Sequence, residues 1–140
     1  MIAFHASTVE IKEFYIPYGG LHLGGMMSAI ECALRKLYAG RDEGLNIDKI
    51  YIHRCSITPG IEYDSQDMGS DVGWKRLNIT LTRMAEDFDY IKYINKYEPD
   101  ILPSYCFFDT SRIQILDCST MHMDVAEDIL NGTVQDVYRY

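Results

Sequence analysis

The sequence has no apolar run near the roughly 18 to 20 residues that a bilayer-crossing helix needs. Its first residues show no basic stretch followed by an apolar one. A membrane helix and a secretory signal are therefore not expected, and the expected location is the cytoplasm, with no membrane partner. Basic clusters are also missing: 13 Lys and Arg stand against 21 Asp and Glu, for a formal charge of -8 and a pI near 4.8. Direct nucleic-acid binding needs clustered Lys and Arg against phosphate, so it is not expected. Cys32, Cys55, Cys106 and Cys118 include no C-x-x-C pair. Three of them lie in apolar segments, where a reduced, buried thiol is the ordinary state, which disfavours a disulfide framework or a zinc site. Asp64 to Asp71 lacks EF-hand spacing, and no metal is expected. The glycine run Gly19 to Gly25 does not match the dinucleotide-fold fingerprint and follows no long strand, which excludes a Rossmann reading.

What is present suits one α+β domain spanning residues 1–140, with residues 121–140 as a C-terminal helical extension. A length of 140 residues and a hydrophobic fraction of 47% allow a single core. Ile2 to His5 reads as a short strand, Glu10 to Tyr18 as a loop broken by Pro17, and Leu21 to Leu23 as an extended piece. Ser28-Ala29-Ile30-Glu31 has the capping-box pattern, predicting a helix that starts there and ends at Gly40. Its N-terminus carries partial positive charge and could lie near a phosphate. Ile47 to Ile57 predicts a long central strand, on which His53 and Arg54 read as a surface or edge pair. Gly73 to Glu86 fits both periods, since Trp74, Leu77, Leu81 and Met84 make a helical face while Leu77 to Thr82 alternates as a strand does. Tyr90 to Ile94, Tyr105 to Phe108 and Arg112 to Asp117 predict three strands, and Met123 to Leu130 a helix stopped by Gly132.

Three stretches carry the chemistry. The first is Phe4-His5-Ala6-Ser7, and the second is Gly19-Gly20-Leu21-His22-Leu23-Gly24 followed by Ala29. The third runs through Phe88, Asp89, Ile91, Tyr93, Asn95 and Glu98, then Ser104, Tyr105, Phe108, Asp109, Ser111 and Ile113. Taken alone, His5 reads first as a half-buried histidine bonded to a backbone carbonyl and Asn95 and Glu98 as solvated loop residues, while Gly20 and His22 read nearly as well as a structural turn. In this order the three stretches resemble the small ADP-ribosyltransferase-like domains, including the phage-encoded effectors and anti-CRISPR members of that superfamily.

The resemblance implies two small β-sheets around an NAD cleft with flanking helices, and a helix before the strand that begins near Phe88. It decides the ambiguous Gly73 to Glu86 segment in favour of helix. It implies NAD as ADP-ribose donor, with His5, Ala6, Ser7, Gly20, His22 and Ser104 as cofactor contacts. The family's second motif often has tyrosine where His22 stands, and many relatives carry the catalytic glutamate where this chain has Ser104. Glu98 is then the catalytic carboxylate, with Asn95 orienting substrate and Asp100 as an alternative acid. The implied function is an NAD-dependent mono-ADP-ribosyltransferase, a transferase of the glycosyltransferase class. It would modify a bacterial host protein in the bacterial cytoplasm, as a phage or mobile-element effector against a defence protein. The alternatives are a catalytically degenerate nucleotide-binding module and an acidic inhibitor of a nucleic-acid-binding protein. An RNA 2'-phosphotransferase is disfavoured by the net charge. The tail Val137-Tyr138-Arg139-Tyr140 is a candidate partner or homodimer surface, unless its tyrosines pack on their own domain.

Overall fold

In the structure, a computed structural model, residues 1–96 and 102–138 are described, with side chains described as far as residue 132. The fold is α+β, with two small sheets and three helices among the described residues. Sheet A is antiparallel in the order β1 (Ile2–Ser7), β3 (Lys49–Ile57), β7 (Ile113–His122). Sheet B has the order β2 (Leu21–Leu23), β6 (Ser104–Phe107), β5 (Tyr90–Tyr93), β4 (Glu62–Asp64), and its only parallel pair is β4 with β5.

Side-chain alternation explains how the layers close. On β3, Ile50 and Ile52 face helix α1 (Met26–Asp42), whose Ile30, Ala33, Leu34 and Leu37 recur at helical spacing to form the first core cluster. Each of the isoleucine and leucine side chains, fully buried, contributes roughly 1.5–3 kcal/mol. Further along β3, Cys55 and Ile57 join Ala3, Leu21, Leu23, Tyr90, Tyr105 and Phe107 in a second cluster. Sheet B is covered on its other side by helix α2 (Asp71–Arg83), where Trp74 and Leu81 meet Ile91, Tyr93 and Cys106. Strand β6 is therefore buried along its whole length.

The expectation of helix for Gly73 to Glu86 is borne out in type, but the helix ends at Arg83, and Met84, expected on its apolar face, is exposed. Trp74, Leu77 and Leu81, spaced i, i+3 and i+7, lie against sheet B, while Ile79 and Thr82 are left exposed. Thr82 settles into the helix by donating its hydroxyl to the Asn78 carbonyl at 2.8 Å.

Several expectations need correction. Helix α1 starts at Met26 after an N-cap Gly25 that supplies no side-chain bond, so Ser28 and Glu31 do not form a capping box. The start is set instead by a tertiary bridge between Phe4 and Gly24. Gly40 and Gly132 lie inside α1 and α3 (Met123–Tyr138) and do not end them. Strand β7 continues past Asp117 to His122, because its partner β3 offers pairing positions as far as Lys49. The helical segment expected from residue 121 begins at Met123, and Ala126 packs fully buried into the α1 cluster. His53 is neither surface nor edge: β3 is the central strand of sheet A and His53 is 0% exposed. Arg54 is on the surface, paired through Nη2 with Asp117 at 2.6 Å. All four cysteines are free thiols.

Candidate functional site

The two sheets join where β1 passes the end of β2. Phe4 N–H donates to the Gly24 carbonyl at 2.7 Å, and Gly24 N–H donates back to the Phe4 carbonyl at 3.0 Å. A Cβ added to Gly24 would sit 2.6 Å from Ser104 Oγ, so the glycine makes room for the Ser104 side chain. That bridge sets His5 beside the beginning of α1, and a cavity of about 370 Å³ lies along the seam. Its size is within the range of small-ligand sites, about 300–1,000 Å³.

His5, Ala6, Gly20, His22, Asn95 and Ser104 all line this cavity. Ser7 does not: its hydroxyl donates to the Val9 carbonyl and closes the turn after β1. Glu98 and Asp100 lie outside the described residues, as do Arg139 and Tyr140 of the tail.

The two cavity histidines differ in their partners. His22 Nε2–H donates to the Gly19 carbonyl at 3.0 Å, and Nδ1 accepts from the Tyr93 hydroxyl at 2.7 Å. Its ring stands edge-on to Trp74 and Tyr93 at centroid distances of 5.2 and 5.7 Å. Burial lowers its pKa, against the opposing pull of the Gly19 carbonyl and Asp71. His22 is thus a fixed neutral wall with both ring nitrogens in use.

His5 Nδ1, by contrast, is buried with no hydrogen-bond partner. Its pKa is lowered from 6.5 to about 4, first by burial and then by the charge of Lys36, followed by His53 and His22. At neutral pH it is an uncharged imidazole, able to bond a hydroxyl or an amide.

His53 supports this arrangement from behind. Its Nδ1–H donates to the His5 carbonyl at 3.0 Å, and its Nε2 accepts from the Ile11 N–H at 2.9 Å. Phe14 from the same loop meets the His5 ring edge-on at 5.2 Å. The loop after β1 is thereby tied to the strand that carries His5.

Sequence reasoning missed the helical wall. Ser28, Cys32 and Lys36 fall at i, i+4 and i+8 on α1, and all three line the cavity. That spacing was available in the sequence, but the apolar stripe of the same helix was the feature read. Trp74 and Tyr93, read as a helix face and a strand, are also cavity walls.

The lining carries both signs of charge: Arg35 and Lys36 come from α1, and Asp67 and Asp71 come from before and at the start of α2. Such a site can take a ligand with an anionic part and a neutral or cationic part. Among the described residues no group of three or more His, Cys, Asp or Glu could hold a metal ion. Among them, too, no helix is long and apolar enough to cross a membrane.

Comparison of the chain with protein-family models, with curated proteins and with solved structures gives no match.

Proposed function

We propose that the chain is an NAD-dependent mono-ADP-ribosyltransferase that modifies a protein, built on an ADP-ribosyltransferase-like fold. The observation that carries the reading is convergence. Residues 4–6, residues 20–24, and Tyr93, Asn95 and Ser104 were singled out by motif order and line one cavity. NAD fits the groups there: the buried, unpartnered His5 Nδ1 suits a ribose hydroxyl, and the buried, unpartnered Ser28 Oγ suits a further polar group. Breaking the nicotinamide–ribose bond develops positive charge on the sugar, which a carboxylate stabilises. Glu98 is the carboxylate proposed for that role, and Asn95 the group that orients the substrate. The resemblance favours an effector that inactivates a bacterial defence protein.

One observation favours a second reading, a nucleotide-binding module without turnover. Where many members of the resembled family carry glutamate, this chain has Ser104, which is 3% exposed and set against Gly24. The two readings separate in one experiment. The pure protein is incubated with NAD and a bacterial lysate beside Glu98→Gln and His5→Ala variants, and proteins are followed by intact mass for added ADP-ribose. An adduct seen only with wild type supports the transferase. No adduct, with NAD still raising the melting temperature, supports the binding module. No adduct and no thermal shift overturns both and leaves the acidic inhibitor.

A further inference from the structure

We propose that Cys32 is a modification site: its thiol, on the α1 wall of the cavity, exchanges with a small disulfide that carries carboxylates, and the adduct excludes the ligand of the cavity. The modification is argued from the thiols and the cavity alone, while the identity of the excluded ligand rests on the NAD reading.

The first observation is a difference among the four free thiols. Cys55 and Cys106 are 0% exposed, and burial pushes both thiols up, Cys55 to about 12. Burial also pushes up the thiol of Cys118 on β7. Each of the three donates to a backbone carbonyl: Cys55 to His53 at 3.7 Å, Cys106 to Gly19 at 3.7 Å and Cys118 to Ser119 at 3.9 Å. Cys32 is part-exposed and, among the described residues, is the only cysteine on the cavity wall. Exchange needs an accessible sulfur, so the cavity is where an incoming disulfide meets a thiol first.

The second observation points to a ligand at the same wall. One turn before Cys32 on the same face, Ser28 is 4% exposed, lines the cavity and has an Oγ without a partner. The buried, unpartnered Nδ1 of His5 belongs to the same lining. Buried polar atoms without partners are uncommon and costly, so this wall belongs to a space that polar molecules enter.

The third is charge. Lys36, one turn after Cys32, lines the cavity, and its ammonium contributes to the lowered pKa of both His5 and His22. It therefore acts on the cavity interior, and it is a cation for a carboxylate on the disulfide. In the exchange the Cys32 thiolate attacks one sulfur of the disulfide, and the old S–S bond breaks as the new one forms. The other half leaves as a thiolate and takes up the proton that Cys32 gave up. No further oxidant enters, and a free thiol reverses the step. The cavity measures about 370 Å³, so an adduct tethered to its wall occupies the space of the ligand. Modification and occupancy thus exclude one another, and the thiol–disulfide balance decides whether ligand binds.

The test uses the full chain at pH 7.5 with oxidised glutathione as the disulfide, and adducts are located by intact mass and peptide mapping. Trp74, the only tryptophan of the chain and a wall of the cavity, reports ligand binding by fluorescence. Wild type is compared with Cys32→Ser, Cys118→Ser and Lys36→Met. The expected first adduct is a single glutathione on Cys32, formed about tenfold faster than on Cys118, the other part-exposed thiol. Cys32→Ser should lose it and Cys118→Ser keep it; if Cys32→Ser fails to fold, the maps of wild type and Cys118→Ser still locate the site. Lys36→Met should slow exchange with glutathione several-fold and leave exchange with uncharged hydroxyethyl disulfide unchanged. NAD or ADP-ribose at about ten times its Kd should slow the Cys32 adduct about tenfold, and the adduct should abolish binding of both until dithiothreitol removes it. A first adduct on Cys118, or equal rates at the two thiols, overturns the proposal, as does an unchanged affinity of the Cys32 adduct for ADP-ribose. Equal glutathione rates in wild type and Lys36→Met overturn the carboxylate preference. Rapid modification of Cys32 in a protein that binds neither NAD nor ADP-ribose keeps the modification site and overturns the NAD reading.

Discussion

The two helices that border the cavity begin in opposite ways. Helix α2 is closed by its own chain: Ser70 caps the Gly73 N–H at 3.0 Å, and Asp71 places a carboxylate in the first turn. Beside it, His22 uses both ring nitrogens within the protein. Helix α1 begins after a glycine that supplies no side-chain cap and has no acid in its first turn, and Ser28 Oγ, together with His5 Nδ1 on β1, is buried without a partner. Both ends have the same backbone dipole, so the difference lies in the serine hydroxyl at each start. At α2 the serine hydroxyl is used within the protein; at the α1 end the Ser28 hydroxyl and the His5 imidazole, which both line the cavity, have no partner. Natural folds break local rules mainly where function requires it.

The sharpest way to break the comparison is at the closed end. A Cβ added to Gly19 would lie 2.7 Å from Asp71 Cα, which is backbone and cannot swing aside. Gly19→Ala must therefore displace the start of α2, together with the carbonyl that holds His22. An overpacking cost of about 3 kcal/mol is expected. Urea unfolding should show it as a lower midpoint at an unchanged slope. A wild-type midpoint would mean that the α2 end yields, and so is not closed in the sense argued.

Next in size is a pH effect at the open end. His5 binds a proton near pH 6.5 in the unfolded chain but only near pH 4 in the folded one. Between those values the unfolded state holds more protons, so stability falls as pH drops through this window and is fully present above it. The lowered pKa of His22 acts in the same direction. Wild type should lose about 2 kcal/mol more than His5→Gln between pH 7.5 and pH 5, since the carboxylates titrate alike in both proteins and cancel. Equal losses would show that His5 is solvated and that its end of the cavity is not desolvated.

How much of this was readable in the sequence differs with the kind of signal. Ile47 to Ile57 declares a strand through its β-branched residues, and the spacing of Trp74, Leu77 and Leu81 carries the helix that the alternation at Leu77 to Thr82 disguises. Most of the candidate cavity residues were reached by motif order. What stayed hidden depends on distant partners. Ser28-Ala29-Ile30-Glu31 looks like a helix start, yet the start is fixed two residues earlier by the bridge from Gly24 to Phe4. No local pattern encodes that bridge. His53 resembles a surface residue until β1, β7 and the Ile11 backbone enclose it. The role of Lys36 was legible in part, as the third member of the i, i+4, i+8 stripe from Ser28, but only after that stripe is known to face a cavity.

A cap comparison sharpens the contrast further. Ser70→Ala removes the acceptor for Gly73 N–H and should cost about 1 kcal/mol, the usual loss for an N-cap serine. Thermal unfolding at pH 7.5 measures it. No loss of stability would show that the hydroxyl does not cap α2 in solution, and the two helix starts would then be alike.

The smallest expected effect has the opposite sign and is the most discriminating. Ser28→Ala changes the same residue type, again in the first turn of a helix or at its edge, but at a hydroxyl that bonds nothing within the protein. Alanine is the better helix former and leaves no buried oxygen without a partner, so the variant should gain about 0.5 kcal/mol. Differential scanning calorimetry of wild type, Ser28→Ala and Ser70→Ala, without nucleotide and at one pH, would place the transitions above wild type for Ser28→Ala and below it for Ser70→Ala. A destabilised Ser28→Ala would mean that Ser28 serves the fold as Ser70 does, and the contrast between the two helix starts would fall. A stabilised variant with weakened ADP-ribose binding would show stability given up at one hydroxyl for the sake of binding, the trade expected where a fold leaves a polar group for its ligand to satisfy.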